Sequence, residues 1–228
     1  NPIPEDAGLI VCDNSEGNGN DYDGLGLFTL SDADEYVLSL IVANPNNDIT
    51  DASQLTIAYY ANEEDALLEL NQLPNEYTSE VPDLQGIYLR VERDNDCFGI
   101  NSMTLEVLPV PEVIVPTPIE ECDDDYDGIV SFFDLSERTE EVLNGQTGID
   151  VTYHETLEDA ENGENAITDL YTNTTADLQT VFIRLEDNES GCASTTTLDL
   201  LVNPIPEIIV PAPIEQCDDD YDGIVSFF

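Results

Sequence analysis

Apolar and polar positions alternate with a period of two through much of the chain. Ile149, Val151 and Tyr153 alternate with Asp150, Thr152 and His154. Val181, Ile183 and Leu185 alternate with Phe182 and Arg184, and Leu198, Leu200 and Val202 with Thr197, Asp199 and Leu201. A period of two sends one set of side chains to one face of a sheet, so these stretches predict half-buried antiparallel strands. One interruption reads as helix, with Ser136 capping Glu137 to Leu143 and a stop near Asn144-Gly145. The matching stretch upstream begins at Ser31, with Asp34 in capping-box position. The pattern predicts an all-β fold: tandem immunoglobulin-like antiparallel β-sandwich repeats with one short helix per repeat.

The repeats are visible in the residues themselves. Residues 109–133 (PVPEVIVPTPIEECDDDYDGIVSFF) align without gaps on 204–228 (PIPEIIVPAPIEQCDDDYDGIVSFF), 21 of 25 identical at an offset of 95. Tyr59, Asp65, Ala66, Tyr77, Leu84, Gln85 and Arg90 fall opposite Tyr153, Asp159, Ala160, Tyr171, Leu178, Gln179 and Arg184 at an offset of 94. This divides the chain into a longer repeat over 1–108, a second over 109–203, and the opening of a third over 204–228. Units of this size bury their own cores, so they are beads rather than solenoid turns. The connectors, with Pro109, Pro111, Pro116 and Pro118 and then Pro204, Pro206, Pro211 and Pro213, are expected to be extended and stiff. The chain starts in a version of the connector and stops inside a recurring motif, which reads as a window on a longer protein.

Charge narrows the functions. Asp and Glu number 51 against 4 Lys and Arg, all four of them Arg, giving a formal charge of −47. Such a chain lacks the cations that nucleic acid and anionic membrane surfaces require. With 41% hydrophobic residues it is nevertheless a folding sequence, and no apolar run is long enough for membrane insertion.

Each repeat has one cysteine in its opening loop and one after its penultimate strand. The expected disulfides are Cys12–Cys97 and Cys122–Cys192, with Cys217 pairing with a residue beyond the window. The alternative is free buried thiols. Disulfides imply an oxidising, extracellular setting.

The sharpest chemical motif is Cys-Asp-Asp-Asp-Tyr-Asp-Gly. Asp123, Asp125, Asp127, Gly128 and Asp134 occupy positions 1, 3, 5, 6 and 12 of a twelve-residue calcium loop. Hard oxygens at alternate positions can converge on one ion, and Gly permits the sharp turn between them. Asp218, Asp220 and Asp222 restate the loop, and Asp21 and Asp23 offer a degraded version that Asp13 or Asn18 could rebuild. The bland alternative is a solvated acidic turn. No flanking helix pair is predicted, so any Ca2+ would brace a loop rather than drive a sensor.

Other residues invite structural readings. His154 is the one histidine and reads as a surface residue, with Tyr60 in its place upstream. Arg90 and Arg184 are expected to form register-fixing ion pairs, Arg90–Asp65 and Arg184–Asp159, or else to contact an anion or glycan. Asn173-Thr174-Thr175 and Asn188-Glu189-Ser190 fit a glycosylation sequon. Nothing suggests a nucleophile with its base or a phosphate loop, so the chain does not read as an enzyme.

The succession CDDDYDGIVSFFDLS, VTYHETLEDAENGENAI, TVFIRLEDNESGC and LDLLVNPIPE resembles the repeats of very large surface proteins of Bacteroidetes, especially Flavobacteria. Those proteins are associated with gliding motility or adhesion and are exported by type IX secretion. The resemblance covers the whole second repeat and, more loosely, the first. It implies an extracellular, cell-surface or filament-forming protein and names no ligand. The expected function is therefore the stalk of an adhesin or fibre, stapled by disulfides and braced by Ca2+, whose partners are neighbouring repeats. A multichain filament or hook built from other copies is the runner-up, and a glycan-binding module the third reading.

Overall fold

The computed structural model describes residues 8–13, 22–44, 49, 51–93, 97–213 and 215. In the first repeat, β1 (Gly8–Cys12), β3 (Leu55–Tyr60), β5 (Leu84–Arg93) and β6 (Phe98–Leu108) form a sheet in the order β1-β6-β5-β3. Short strands β2 (Leu27–Thr29) and β4 (Glu76–Thr78) pair separately. Helices α1 (Asp34–Ala43) and α2 (Glu63–Leu68) complete the repeat. The second repeat restates this plan. Its β7 (Ile119–Cys122), β8 (Ile149–His154), β9 (Leu178–Asp187) and β10 (Ala193–Asn203) lie in the order β7-β10-β9-β8, joined by α3 (Thr139–Leu143) and α4 (Leu157–Asn162).

The alternation read from the sequence builds the cores. Val181, Ile183, Leu185, Leu198, Leu200 and Val202 send their side chains inward from β9 and β10, paired in register as Leu198 with Val181 and Thr196 with Ile183. Ile87, Leu89, Val91, Met103, Leu105 and Val107 do the same from β5 and β6. Each sheet is covered by a thinner layer. In the first repeat this layer is Phe28, Leu30, Val37, Ile41 and Tyr77; in the second it is Phe133, Leu135 and Val142, with a single bridge between Phe133 and Tyr171. The framework is thus two-layered and mostly β, with much of the second layer helical.

Three expectations change. Each repeat carries two α-helices rather than one. The missed pair, α2 and α4, spans only six residues each, too short for a helical period to stand out. Their signal is local: the side chains of Asn62 and Thr156 accept from the backbone N–H of Asp65 and Asp159 three residues on. The helix starts also shift. Asp134, not Ser136, caps the 3-10 turn Leu135–Arg138 that leads into α3, and Asp34 accepts from the Tyr59 hydroxyl at 2.5 Å instead of closing a capping box with Ser31.

The third change sets the geometry of everything below. The sheets are not wholly antiparallel: β1 runs parallel to β6, with Gly8 opposite Thr104 and Cys12 opposite Leu108, and β7 runs parallel to β10. The opening strand therefore ends where the last strand ends, at the pole from which the connector leaves. The β5–β6 and β9–β10 hairpins lie at the opposite pole.

Candidate functional site at the junction between the repeats

Parallel entry places Cys12 at the exit pole of the first repeat and Cys97 at its hairpin pole. Between them stretches β6, 11 residues long, or roughly 35 Å at ~3.3 Å per residue. A disulfide needs Cα atoms within about 7 Å, so the expected Cys12–Cys97 bridge cannot form. The same argument separates Cys122 from Cys192 along β10. The observed bridge is Cys12–Cys192, 180 residues apart in sequence with Cα atoms 5.5 Å apart. It joins the exit pole of one repeat to the hairpin pole of the next. Cys97 is exposed, Cys122 is a free, exposed thiol, and Cys217 lies outside the described residues.

The connector is held on both sides of this bridge. The Tyr22 hydroxyl donates to the carbonyl of Pro111 at 3.4 Å and accepts from the N–H of Val113 at 3.3 Å. From the second repeat, the Ser194 hydroxyl donates to the same Pro111 carbonyl at 2.7 Å. Gln146 exchanges two bonds with the backbone of Glu112. Arg138 donates to the carbonyls of Thr117 and Pro118, and Glu141 accepts from Thr117. Val113 packs on the core of the second repeat, and Pro111 and Pro116 are buried. The proline segment is thus clasped in place rather than left as a bare spacer.

The acidic loop sits at the exit pole of the second repeat. Asp123, 5% exposed, is its keystone: Oδ1 accepts from the N–H of Asp125 and Tyr126, and Oδ2 from Gly128. Burial pushes the Asp123 carboxyl up, but donation from Asp125, Gly128, Tyr126 and Asp127 outweighs it and leaves the group below its ordinary value. Asp125 moves the other way, raised by burial and by the charge of Asp127. Gly128 has φ +74°, and a Cβ there would come within 2.8 Å of Asp177 Oδ1, so glycine is required.

Ligand oxygens of Asp123, Asp124 and Asp125 lie within 4.8 Å of one another. Asp127 Oδ1 accepts from Ile129 N–H, and Asp134 serves as the cap described above. The first repeat rebuilds the loop with Asp13, whose Oδ2 accepts from Gly24 N–H as Asp123 does from Gly128. There Asp23 Oδ1 accepts from Leu25 N–H, while Asp21, Asp218, Asp220 and Asp222 lie outside the described residues.

The arginine pairs are also corrected. Arg90 bonds Glu69 and Glu92, and Arg184 bonds Glu186. Each guanidinium also donates to carbonyls at the end of a short helix, Ala66 and Leu67 or Ala160 and Glu161. Asp65 and Asp159 instead accept from Asn71 and Asn165 in the turns after those helices. His154 is fully buried, not on the surface. Its Nδ1 donates to the Glu164 carbonyl at 2.6 Å, and its Nε2 shares a hydrogen bond of 2.8 Å with Thr152 Oγ1. Asn173 is 2% exposed and spends its amide on Gly128, Thr175 and Val130, which removes it as a glycosylation site.

A sequence family described as the Flavobacterium inter-domain disulphide bond domain matches residues 8–111 and 118–206. The chain belongs to this family. The family description agrees with a bridge that crosses between repeats. No curated protein matches the chain. Among solved structures, the human desmocollin-1 ectodomain is 12% identical, with a TM-score of 0.22, over 71% of this chain and 35% of that one. Sidekick-1 immunoglobulin domains 1–4 are 10% identical, with a TM-score of 0.25, over 90% and 50%. The chain thus spans about a third to a half of these two proteins. Likeness this loose carries no argument, and the fold rests on the sheets themselves. Among the described residues, no helix is long and apolar enough to cross a membrane.

Proposed function

We propose that this chain is a load-bearing segment of an extracellular stalk, in which consecutive β-repeats are locked end to end. The observation that carries the reading is the Cys12–Cys192 bridge, since a bond across a junction limits bending and separation of whole domains. A disulfide also suits an oxidising compartment. The role is mechanical rather than catalytic, and the high negative charge keeps a long polymer soluble and discourages lateral clumping. Attachment to a cell surface as an adhesin, with type IX export, is the biological setting proposed for it.

Calcium is the second part of the reading. Carboxylates are the right donors for a hard cation, and the charges of Asp125 and Asp127 oppose each other in its absence. Asp134 is committed to a cap, whereas the oxygens of Asp123, Asp124 and Asp125 converge and Asp127 lies beside Asp125, so these four are the groups that would hold the ion.

Small-angle scattering of the oxidised and reduced chain tests the lock. A single extended envelope that broadens on reduction supports it, and identical profiles count against it. Growth into oligomers with concentration would instead favour a filament. Thermal melts in millimolar calcium and in EDTA test the ion, with a gain of about 2.7 kcal/mol expected at a hundredfold excess over the dissociation constant. Coincident melts at fixed ionic strength would remove calcium from the reading.

A further inference from the structure

The segment that is clasped at the junction occurs twice. Val113 rests against the core of the second repeat, whereas its counterpart Ile208 is 86% exposed, followed by Ile209 at 81% and Val210 at 84%. Pro111 is buried and its counterpart Pro206 exposed. The pole beneath the second copy is nonetheless fully formed. Asp123 N–H bonds the Asn203 carbonyl just as Asp13 N–H bonds that of Leu108. Tyr126, counterpart of the clasping Tyr22, is 64% exposed, and Cys122, counterpart of the bridged Cys12, is a free thiol.

Three adjacent apolar side chains in water, an unengaged tyrosine and a free thiol thus share one pole. Ile208, Tyr126 and Cys122 each have a counterpart engaged at the other junction, namely Val113, Tyr22 and Cys12, whereas Val115, the counterpart of Val210, is itself 72% exposed. We propose that Cys122, Tyr126 and the segment Pro206–Val210 form a docking surface whose occupant is a further repeat of this same type. That repeat seats as the second repeat seats on the first. Tyr126 acts as the clasp: its hydroxyl donates to the Pro206 carbonyl and accepts from Ile208 N–H, turning the connector toward the incoming core. The occupant must carry a cysteine at its hairpin with a serine two residues on, as Cys192 and Ser194 are arranged, and a glutamine after its first helix, as Gln146 is. The inference rests on the stalk reading and specifies its next joint.

The test extends the full chain at Phe228 with a second copy of residues 134–203, which completes a third repeat in frame. Its sequence is that of the second repeat, whose core already folds. The readouts are maleimide labelling of Cys122, non-reducing peptide mapping, and hydrogen exchange at residues 208–210. The expected result is loss of labelling at Cys122, a peptide joining it to the appended hairpin cysteine, and new protection at Ile208. Tyr126→Phe should reduce that protection and slow the pairing of Cys122 several-fold, while leaving Cys12–Cys192 unchanged. Cys122 still labelled and residues 208–210 unprotected, with Cys12–Cys192 intact, would overturn the docking surface and leave the stalk reading standing. Loss of Cys12–Cys192 itself in the oxidised chain would overturn both. Equal protection in Tyr126→Phe and the parent would remove the clasp.

Discussion

The two repeats share their polar braces more faithfully than their apolar filling. In both, a glutamine on the long central strand holds the preceding turn: Gln85 accepts from Glu80 and Val81 N–H and donates to Tyr77, and Gln179 accepts from Thr174 and Thr175 and donates to Tyr171. In both, an arginine ties a helix end to the sheet. The filling differs. Helix α1 has 10 residues and α3 only 5, and buried Tyr60 is replaced by buried His154. An apolar contact tolerates exchange if volume is kept, whereas a buried donor or acceptor left unmatched costs its full desolvation. The loops are therefore the rigidly specified part of this fold.

The largest effect should come from the cores, and it tests whether the repeats are separate. Phe28 and Phe133 are each 1% exposed or less and occupy matching places opposite Tyr77 and Tyr171. Phe28→Ala or Phe133→Ala should cost about 3–5 kcal/mol in urea denaturation of its own repeat and leave the other transition in place. If both transitions move together, the cores are coupled across the junction. Next in size is Gly128→Ala, at about 1–3 kcal/mol from its positive φ and the approach of Asp177, with the same cost at Gly24.

The arginines should then separate the repeats. Arg90 is 4% exposed in its side chain and stacks on Phe98 at 3.5 Å, whereas Arg184 is 15% exposed. Arg90→Met should cost about 2–3 kcal/mol, and Arg184→Met about 1 kcal/mol less, because water can reach the groups it abandons. Equal losses would show that burial does not govern the difference.

The strands were legible because alternation depends on each residue alone. Val181, Ile183 and Leu185 could be placed on one face without knowing their partners. The cysteine pairing was not legible, because both cysteines of a repeat also recur in its neighbours. Equivalent placement within each repeat then fits a bridge inside a repeat and a bridge between repeats alike. Only the parallel direction of β1 and β7 decides, and no side-chain pattern of a four- or five-residue edge strand encodes direction. The burial of His154 is hidden for a related reason: at the strand end its side chain turns under the loop that carries Glu164, a contact set by α4, whose six residues are too few to show a helical period. The spacing of Asp123 is that of a ligand, yet the same spacing lets a carboxylate gather backbone N–H groups.

The smallest effect discriminates these two uses of the acidic loop. Asp123 has a depressed folded-state value, so its contribution to stability is present above the unfolded carboxylate range and is lost as pH falls through the folded one. Asp125 is raised, so its charged form is disfavoured in the fold, and protonation on the acid side relieves that cost. In EDTA, Asp123→Asn should lower the melt of the second repeat at neutral pH and flatten its decline in acid. Asp125→Asn should raise the melt slightly by removing the repulsion with Asp127. Added calcium should reverse the second result, since the ion turns that repulsion into shared coordination and the asparagine forfeits it. A melt for Asp125→Asn that stays above the parent in both solutions would leave the loop as a backbone brace alone, with rigidity resting on the Cys12–Cys192 bridge and the clasped connector.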